Sequence, residues 1–285
     1  MQKKTDAENL IPVLERIIPR LLFERAEPTI AAMTRRAEAG CAEMQFALGR
    51  CYNGGYGVKR DVDASRMWMR RAAAQGHATA TGFLHERDFD FAGSAEWYKR
   101  GAKDGNAFAW ERLGHHYSSE CRGEKNLAKA ADCFLKAAEL GCVRAMFWLG
   151  YCHDRSEGVA ADHAKAMAWY RKGAEACDVS CMSELGLNYL KNGEPEEWQM
   201  AVCLFRTSAG IGNRRSMYGL GLCYRDGKGV TVDLEEARKW FLRSAEQDYE
   251  KAKIALRELE DIGDRRLPLK CEMRTMCGKI SSHRA

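Results

Sequence analysis

The chain has 285 residues, of which 45 are Lys or Arg and 40 are Asp or Glu. With 46% hydrophobic and 30% charged residues it can bury a core, which excludes a disordered or fibrous protein. It contains 39 Ala but only 9 Val and 8 Ile, and β-branched residues are the ones that favour strands. The composition therefore argues against all-β and parallel-sheet folds.

The charge and the apolar segments indicate where the protein works. No stretch approaches the roughly 20 apolar residues of a membrane helix, and charged residues within 10–23 exclude a signal-peptide core. We therefore expect a cytoplasmic protein with reduced cysteines, although translocation of a bacterial protein into a host stays open. The net charge is +5, of which 264–285 carry +4, so we expect no nucleic-acid partner for the rest.

The N-terminal segment is predicted to be helical and to cap the rest of the fold. Residues 9–25 are predicted as one helix, interrupted near Pro12 and Pro19. Pro28 fits the first turn of a second helix that runs to Ala39 and ends at Gly40. We therefore interpret 1–41 as an N-terminal helix together with a half repeat.

A Leu-Gly pair then recurs along the chain. It stands at 48–49, 113–114, 149–150, 185–186 and 220–221, with last steps of 36, 36 and 35 residues. The first gap leaves room for one shortened copy around Leu84. A regular period of this length indicates an array of similar structural units.

Further columns keep the same register. An N-cap column is followed after seven residues by a mostly Trp column, after twelve by Ala, and usually after fifteen by Gly. The cap column reads Asp61, Asp90, Asn126, Asp162, Glu197 and Asp233, and the Trp column reads Trp68, Trp97, Cys133, Trp169, Leu204 and Trp240. Each copy is thus predicted as helix A with Leu-Gly, a loop, and helix B with Trp and Ala.

One helix pair cannot bury its own apolar face, whereas stacked pairs can. The prediction is an all-α, right-handed α–α solenoid (a superhelix) of about six helix pairs. Its copies cover about 42–77, 78–106, 107–142, 143–178, 179–213 and 214–262, and a basic, flexible tail is predicted at 263–285.

These columns resemble the Sel-one-like repeat, a relative of the tetratricopeptide repeat. The resemblance is closest at Leu48-Gly49-Arg50-Cys51-Tyr52 with Gly55, Gly57 and Val58, and again at Leu220-Gly221-Leu222-Cys223-Tyr224 with Gly227, Gly229 and Val230. Copy two has a truncated inter-helix loop, and copy five lacks the Gly-Val loop and the Trp.

The resemblance implies that helix A lines a concave groove. The residues near each Leu that would face this groove mix aromatic, Arg and acidic side chains, and aromatic and Arg residues are the usual anchors of protein interfaces. They are Phe46, Arg50, Asn53, Glu86, Phe89, Phe108, Glu111, His115, Arg144, Phe147, Tyr151, Asp154, Leu187, Tyr218, Leu222 and Arg225. The alternative is that several of these aromatic rings pack between helices.

No catalytic constellation emerges: Gly-x-Ser-x-Gly and C-x-x-C are absent, and Gly227-Lys228-Gly229 fits an inter-helix turn better than a phosphate loop. We therefore predict a non-enzymatic scaffold that binds a protein or peptide, with no cofactor, no catalytic or metal-binding residues and no small-molecule substrate. Two alternatives stay open. One is a hydrolase of β-lactam or cell-wall-like substrates, as a disulfide-stapled branch of the resembled family implies. The other is metal or redox sensing through Cys152, His153 and His116.

Overall fold

The structure, a computed structural model, describes residues 26–119 and 125–259. These residues form fourteen helices and no strand, which confirms the predicted all-α repeat fold. No described helix is both long and apolar enough to cross a membrane. The helix predicted at 9–25 and the basic tail predicted at 263–285 lie outside the described residues.

The helices alternate between the predicted A and B types. They are α1 (Ala26–Glu38), α2 (Ala42–Gly54), α3 (Val62–Ala74), α4 (Ala78–Arg87), α5 (Phe91–Lys103), α6 (Ala107–Ser118), α7 (Leu127–Glu139), α8 (Val143–Arg155), α9 (His163–Glu175), α10 (Val179–Asn192), α11 (Pro195–Gly210), α12 (Arg214–Asp226), α13 (Leu234–Ala245) and α14 (250–259). The chain divides into two compact units at 181/182, within α10. We refer to the described residues up to 181 as the N-terminal unit and to 182–259 as the C-terminal unit.

The polar column caps helix B in five of the six copies. The side chains of Asp61, Asp90, Asn126, Asp162 and Asp233 each accept a hydrogen bond from a backbone N–H in the first turn. Copy five departs from this prediction, because α11 begins earlier, at Pro195, with Glu194 as its N-cap. Glu197 instead occupies the third helical position and completes a capping box with Glu194.

The turn after helix B has a left-handed residue in each copy. Gly76, Gly105, Gly141 and Gly212 have positive φ, as does Gly40 after α1. Cys177 (φ 67°) and Asp248 (φ 57°) adopt the same conformation where the column lacks Gly. The turn geometry is therefore set by the repeat even where the residue disfavours it.

A contact between helix A and helix B explains the Leu-Gly pair. Each Leu of the pair is buried. A Cβ added to the following Gly would overlap or crowd the residue after the Trp column: Met69 at Gly49, Phe134 at Gly114, Tyr170 at Gly150, Phe205 at Gly186 and Phe241 at Gly221. The Gly therefore lets a bulky side chain of helix B approach the backbone of helix A.

Copy two keeps this contact in a shifted form. The ring of Tyr98 packs on Gly82, which stands three residues before His85, the residue that occupies the Gly column. Only residues 88–90 separate α4 from α5, compared with 55–61 between α2 and α3. The truncated loop predicted for this copy thus moves helix B by nearly one helical turn along helix A.

Candidate partner-binding site

The N-terminal unit contains a cleft of about 590 Å³. Six of the predicted groove residues line it: Arg50, Asn53, Glu86, Phe89, Phe108 and Arg144. They come from the A helices α2, α4, α6 and α8 and from the loop after α4. The volume lies within the range of about 300–1,000 Å³ that is usual for ligand-binding clefts.

Six further residues line the cleft and were not predicted. They are Tyr56, Arg66, Phe83, Arg87, Phe91 and Arg112. Tyr56 lies in an inter-helix loop, while Arg66 and Phe91 belong to helix B, which the groove prediction did not consider. The only hint in the sequence that packing differs here was the short inter-helix loop of copy two.

One wall of the cleft is a closed network around Glu86. Arg112 forms an ion pair with Glu86, and its Nε donates to Oε2 at 3.1 Å. The Tyr98 hydroxyl donates to the same oxygen at 2.7 Å. Burial and the Glu86 charge raise the pKa of Tyr98 well above 10, so the phenol stays a donor. This network fixes α4 against α5 and α6 and offsets the one carboxylate that lines the cleft among the described residues.

Stacked rings support the base of the cleft. The Arg50 guanidinium lies over the Phe108 ring, 4.3 Å from its centroid. Phe108 meets Phe46 edge to face at 5.7 Å, and Phe46 stacks on His77 at 4.6 Å. Phe46 is 4% exposed, so it supports the cleft from below and does not face it, as the alternative of inter-helix packing anticipated.

A second buried carboxylate lies behind the cleft. Glu111 is fully buried and accepts from His115 Nε2 at 3.2 Å, while Arg144 Nε lies 3.4 Å from the same oxygen. Burial disfavours ionisation of Glu111, but the His115 hydrogen bond and the Arg144 charge outweigh it and hold the pKa of Glu111 below its ordinary value. Glu111 and His115 thus anchor Arg144 and do not line the cleft.

Phe89 lies at the mouth of the cleft. It is 80% exposed and has a φ of 62°, a conformation that bulky residues rarely adopt. Its ring meets Phe91 edge to face at 6.3 Å. The short loop of copy two places both the strain and the exposed ring at this position.

The remaining predicted residues of the N-terminal unit lie on α8, outside the cleft lining. The ring centroid of Phe147 lies 6.5 Å from that of Tyr151 and 6.2 Å from that of Tyr170. Both Phe147 and Tyr151 are half-buried. Asp154, at the end of α8, lies 3.6 Å from His163. None of the three lines the cleft.

Four predicted residues belong to the C-terminal unit. Tyr218 and Leu222 are partly buried against the cluster around Phe241. Arg225 binds Asp226 through two nitrogens and lies 3.4 Å from Glu258. Leu187 is half-buried on α10. That they form a binding surface stays a prediction.

The cysteines show no pairing in the described ranges. All nine cysteines there are free, and burial raises the pKa of Cys152 to about 11. Within 26–119 and 125–259, no three His, Cys, Asp or Glu side chains are placed to hold a metal ion. Cys152 is therefore a protonated, buried thiol at neutral pH.

The repeat geometry agrees with a known family. The Sel1 repeat profile matches residues 42–77, 82–106, 111–142, 143–176 and 214–249, which together make up more than half of the chain. The chain belongs to the Sel1 repeat family. Copy five, at 179–213, is not matched, and it is the copy that lacks the Gly-Val loop and the Trp. Sel1 repeat proteins act in general as protein-interaction scaffolds.

The curated relatives of the chain are longer than the chain itself. Chitin synthase regulatory factor 3 of Schizosaccharomyces pombe is 26% identical over 80% of this chain and 22% of its own length. Chitin synthase regulator SKT5 of Saccharomyces cerevisiae is 25% identical over 78% of this chain and 35% of its own length. The Sel1 chain thus spans well under half of these relatives.

Solved structures confirm the fold. A protective antigen present in uropathogenic Escherichia coli strains is 29% identical, with a TM-score of 0.54, over 84% of this chain and 61% of its own. A Sel1 repeat protein from Oxalobacter formigenes, 24% identical, has a TM-score of 0.60 over 73% of this chain and 89% of its own.

Proposed function

We propose that this Sel1 repeat protein is a non-enzymatic scaffold that holds a segment of a partner protein in the cleft of the N-terminal unit. The observation that carries the proposal is the cleft itself, in which A helices of four copies and the exposed ring of Phe89 converge. The cytoplasm is the compartment in which we expect this binding.

The lining has the composition of a protein-binding hot spot. Arg and aromatic side chains dominate such sites, because aromatic rings bury a large area with few rotatable bonds and Arg combines an apolar stem with a planar charged head. Phe89 remains exposed although burial of a Phe ring is worth about 2 kcal/mol, so a partner that covers it gains this energy. The packed network around Glu86 keeps the wall of the cleft in place before binding, which lowers the entropic cost of association.

Site-specific photo-crosslinking in the native cell tests the proposal. A photoreactive phenylalanine analogue replaces Phe89 in one strain and Leu140 in a matched control strain. Leu140 is 50% exposed and lies outside the cleft lining. We expect one discrete crosslinked protein from position 89, identified by mass spectrometry, and none of it from position 140.

The binding site is then confirmed with an ordinary substitution. Phe89→Ala should reduce recovery of the identified partner about tenfold, as loss of a hot-spot aromatic does, while Leu140→Ala should leave it unchanged. The proposal is wrong if position 89 gives no crosslink in illuminated cells, or if both alanine variants recover the partner equally well.

A further inference from the structure

The charges that line the cleft are strongly unequal. Of the residues that the structure describes, five arginines but a single carboxylate, Glu86, line it. Glu86 is occupied by Arg112 and Tyr98, and Arg144 is held from behind by Glu111. Three positive charges, those of Arg50, Arg66 and Arg87, are left without a carboxylate partner among the described residues. A cleft of this kind attracts and orients negative charge.

Arg66 and Arg87 are the least engaged of the three. Neither makes a hydrogen bond, an ion pair or a ring contact within the part of the chain that the structure describes, whereas Arg50 stacks on Phe108. Guanidinium groups bind carboxylates through two parallel hydrogen bonds. These two arginines, one from helix B of copy one and one from helix A of copy two, therefore form two open positions for carboxylates.

An apolar contact adjoins these positions. Phe89 lies two residues from Arg87, is exposed, and shares the cleft lining with Phe83 and Phe91. A ligand that satisfies the whole lining must combine negative charge with a bulky apolar side chain. A nucleic acid fits less well, because its phosphates require an extended basic track, whereas residues 1–263 carry a net charge of only about +1, counted from the sequence.

We infer that the cleft recognises an acidic peptide segment with an aromatic side chain, whose carboxylates pair with Arg66 and Arg87 while its ring packs on Phe89. The inference rests on the proposed function and names the chemistry of the segment that the scaffold holds.

Three fluorescein-labelled peptides of equal length test it by fluorescence polarisation with the full chain. Each has one central Phe, flanked by Asp and Glu, by Asn and Gln, or by Lys. The acidic peptide should bind about tenfold or more tightly than the neutral one and weaken as salt screens the charges. The Lys peptide should not bind.

Charge reversal locates the site. Arg66→Glu with Arg87→Glu should weaken binding of the acidic peptide about tenfold or more. The matched control is Arg35→Glu with Arg70→Glu, which changes the net charge equally at two exposed positions outside the cleft. The control should bind normally, and circular dichroism should show the same helix content in both double variants.

Several results would overturn the inference. One is equal binding of the acidic and neutral peptides, and another is a Kd weaker than about 1 mM for all three peptides. A third is that a single-stranded DNA oligonucleotide of matched charge binds more tightly than the acidic peptide, and that this binding is lost when Arg66 and Arg87 are both changed to Glu. If position 89 still crosslinks the partner in cells when Arg66 and Arg87 are reversed, the acidic chemistry is wrong while the scaffold proposal stands.

Discussion

The same repeat positions carry different chemistry in the two units. Two residues after the Leu, Arg50 lines an open cleft in copy one, whereas Leu222 packs against the core in copy six. Five residues after the Leu, Phe89 is exposed in copy two, whereas Arg225 is held by Asp226 and Glu258 in copy six. The repeat fixes where these side chains stand, and the residue at each position decides whether the surface is closed or open to a partner.

What the two units share is the contact between glycine and aromatic ring. Phe134 packs on Gly114 in the N-terminal unit, and Phe241 packs on Gly221 in the C-terminal unit. Because these contacts involve none of the cleft residues, the cleft can change its chemistry without loss of the fold. Substitutions in each unit can therefore separate the frame from the site.

The largest effect is expected at the shared frame. Gly114→Ala and Gly221→Ala each place a methyl group against an aromatic ring, and such overpacking costs about 1–3 kcal/mol of unfolding free energy. The control is Gly210→Ala at the end of α11, where a Cβ meets nothing within 4 Å. Chemical denaturation should show a loss for the first two and none for the third. A loss in one unit alone would show that the frame is not shared.

A smaller effect is expected at the buried carboxylate behind the cleft. Glu111→Gln removes the charge that Arg144 and His115 face, and should cost about 1–2 kcal/mol at pH 7. Because the folded-state pKa lies below the ordinary 4.5, this contribution is present above pH 4.5 and is lost as pH falls through the folded-state value.

The measurement is the free energy of unfolding from pH 7 down into the acid range. Wild type and Glu111→Gln should differ at pH 7 and converge in acid. Glu184→Gln, which removes the charge that pairs with Arg215 in the C-terminal unit, is measured over the same pH range for comparison. A constant difference between wild type and Glu111→Gln at all pH values would contradict the assignment of the lowered pKa to Glu111.

Relief of the backbone strain in the loop of copy two should raise the stability of the protein, whereas the substitutions above lower it. Phe89→Gly relieves a left-handed conformation that costs about 1 kcal/mol for a side-chain-bearing residue, so the protein should become slightly more stable while partner binding is lost. Asp248→Gly, with a φ of 57° in the C-terminal unit, should give a smaller gain without any change in binding, because Asp tolerates this conformation better than Phe and pairs with Lys253. Thermal unfolding together with crosslinking distinguishes the two, and a destabilised Phe89→Gly would contradict the strain at this loop.

Much of the fold could be predicted because the same residue types recur at the same positions in several copies of the repeat. Five of the six caps follow from the sequence period and were confirmed in the structure, and the Gly column falls on left-handed turns. The start of α11 was missed, because Pro195 begins the helix and Glu194 forms a capping box with Glu197 before the expected position. A single copy that departs from the column gives no repetition to reveal it.

Less of the candidate site could be predicted. The residues near each Leu pointed to the right helices, and six of them line the cleft. The contributions of Arg66 and Phe91 depend on the packing that a three-residue loop imposes. Which charges are already paired, such as Glu86 with Arg112, depends on contacts between copies. Neither can be read from the repeat period.

The smallest effect should be equal in the two units. In copies two and six a basic residue three positions after the Trp lies over its ring, with Arg100 and Arg243 each 4.5 Å from the centroid of Trp97 and Trp240. At such partly exposed sites a cation–π contact is worth about 0.5–1 kcal/mol. Double-mutant cycles that combine Arg→Ala with Trp→Leu should therefore give similar coupling energies in both copies. Because the contact lies within one helix, a coupling present in copy six but absent in copy two would mean that the short loop alters helix B itself, and not only its position on helix A.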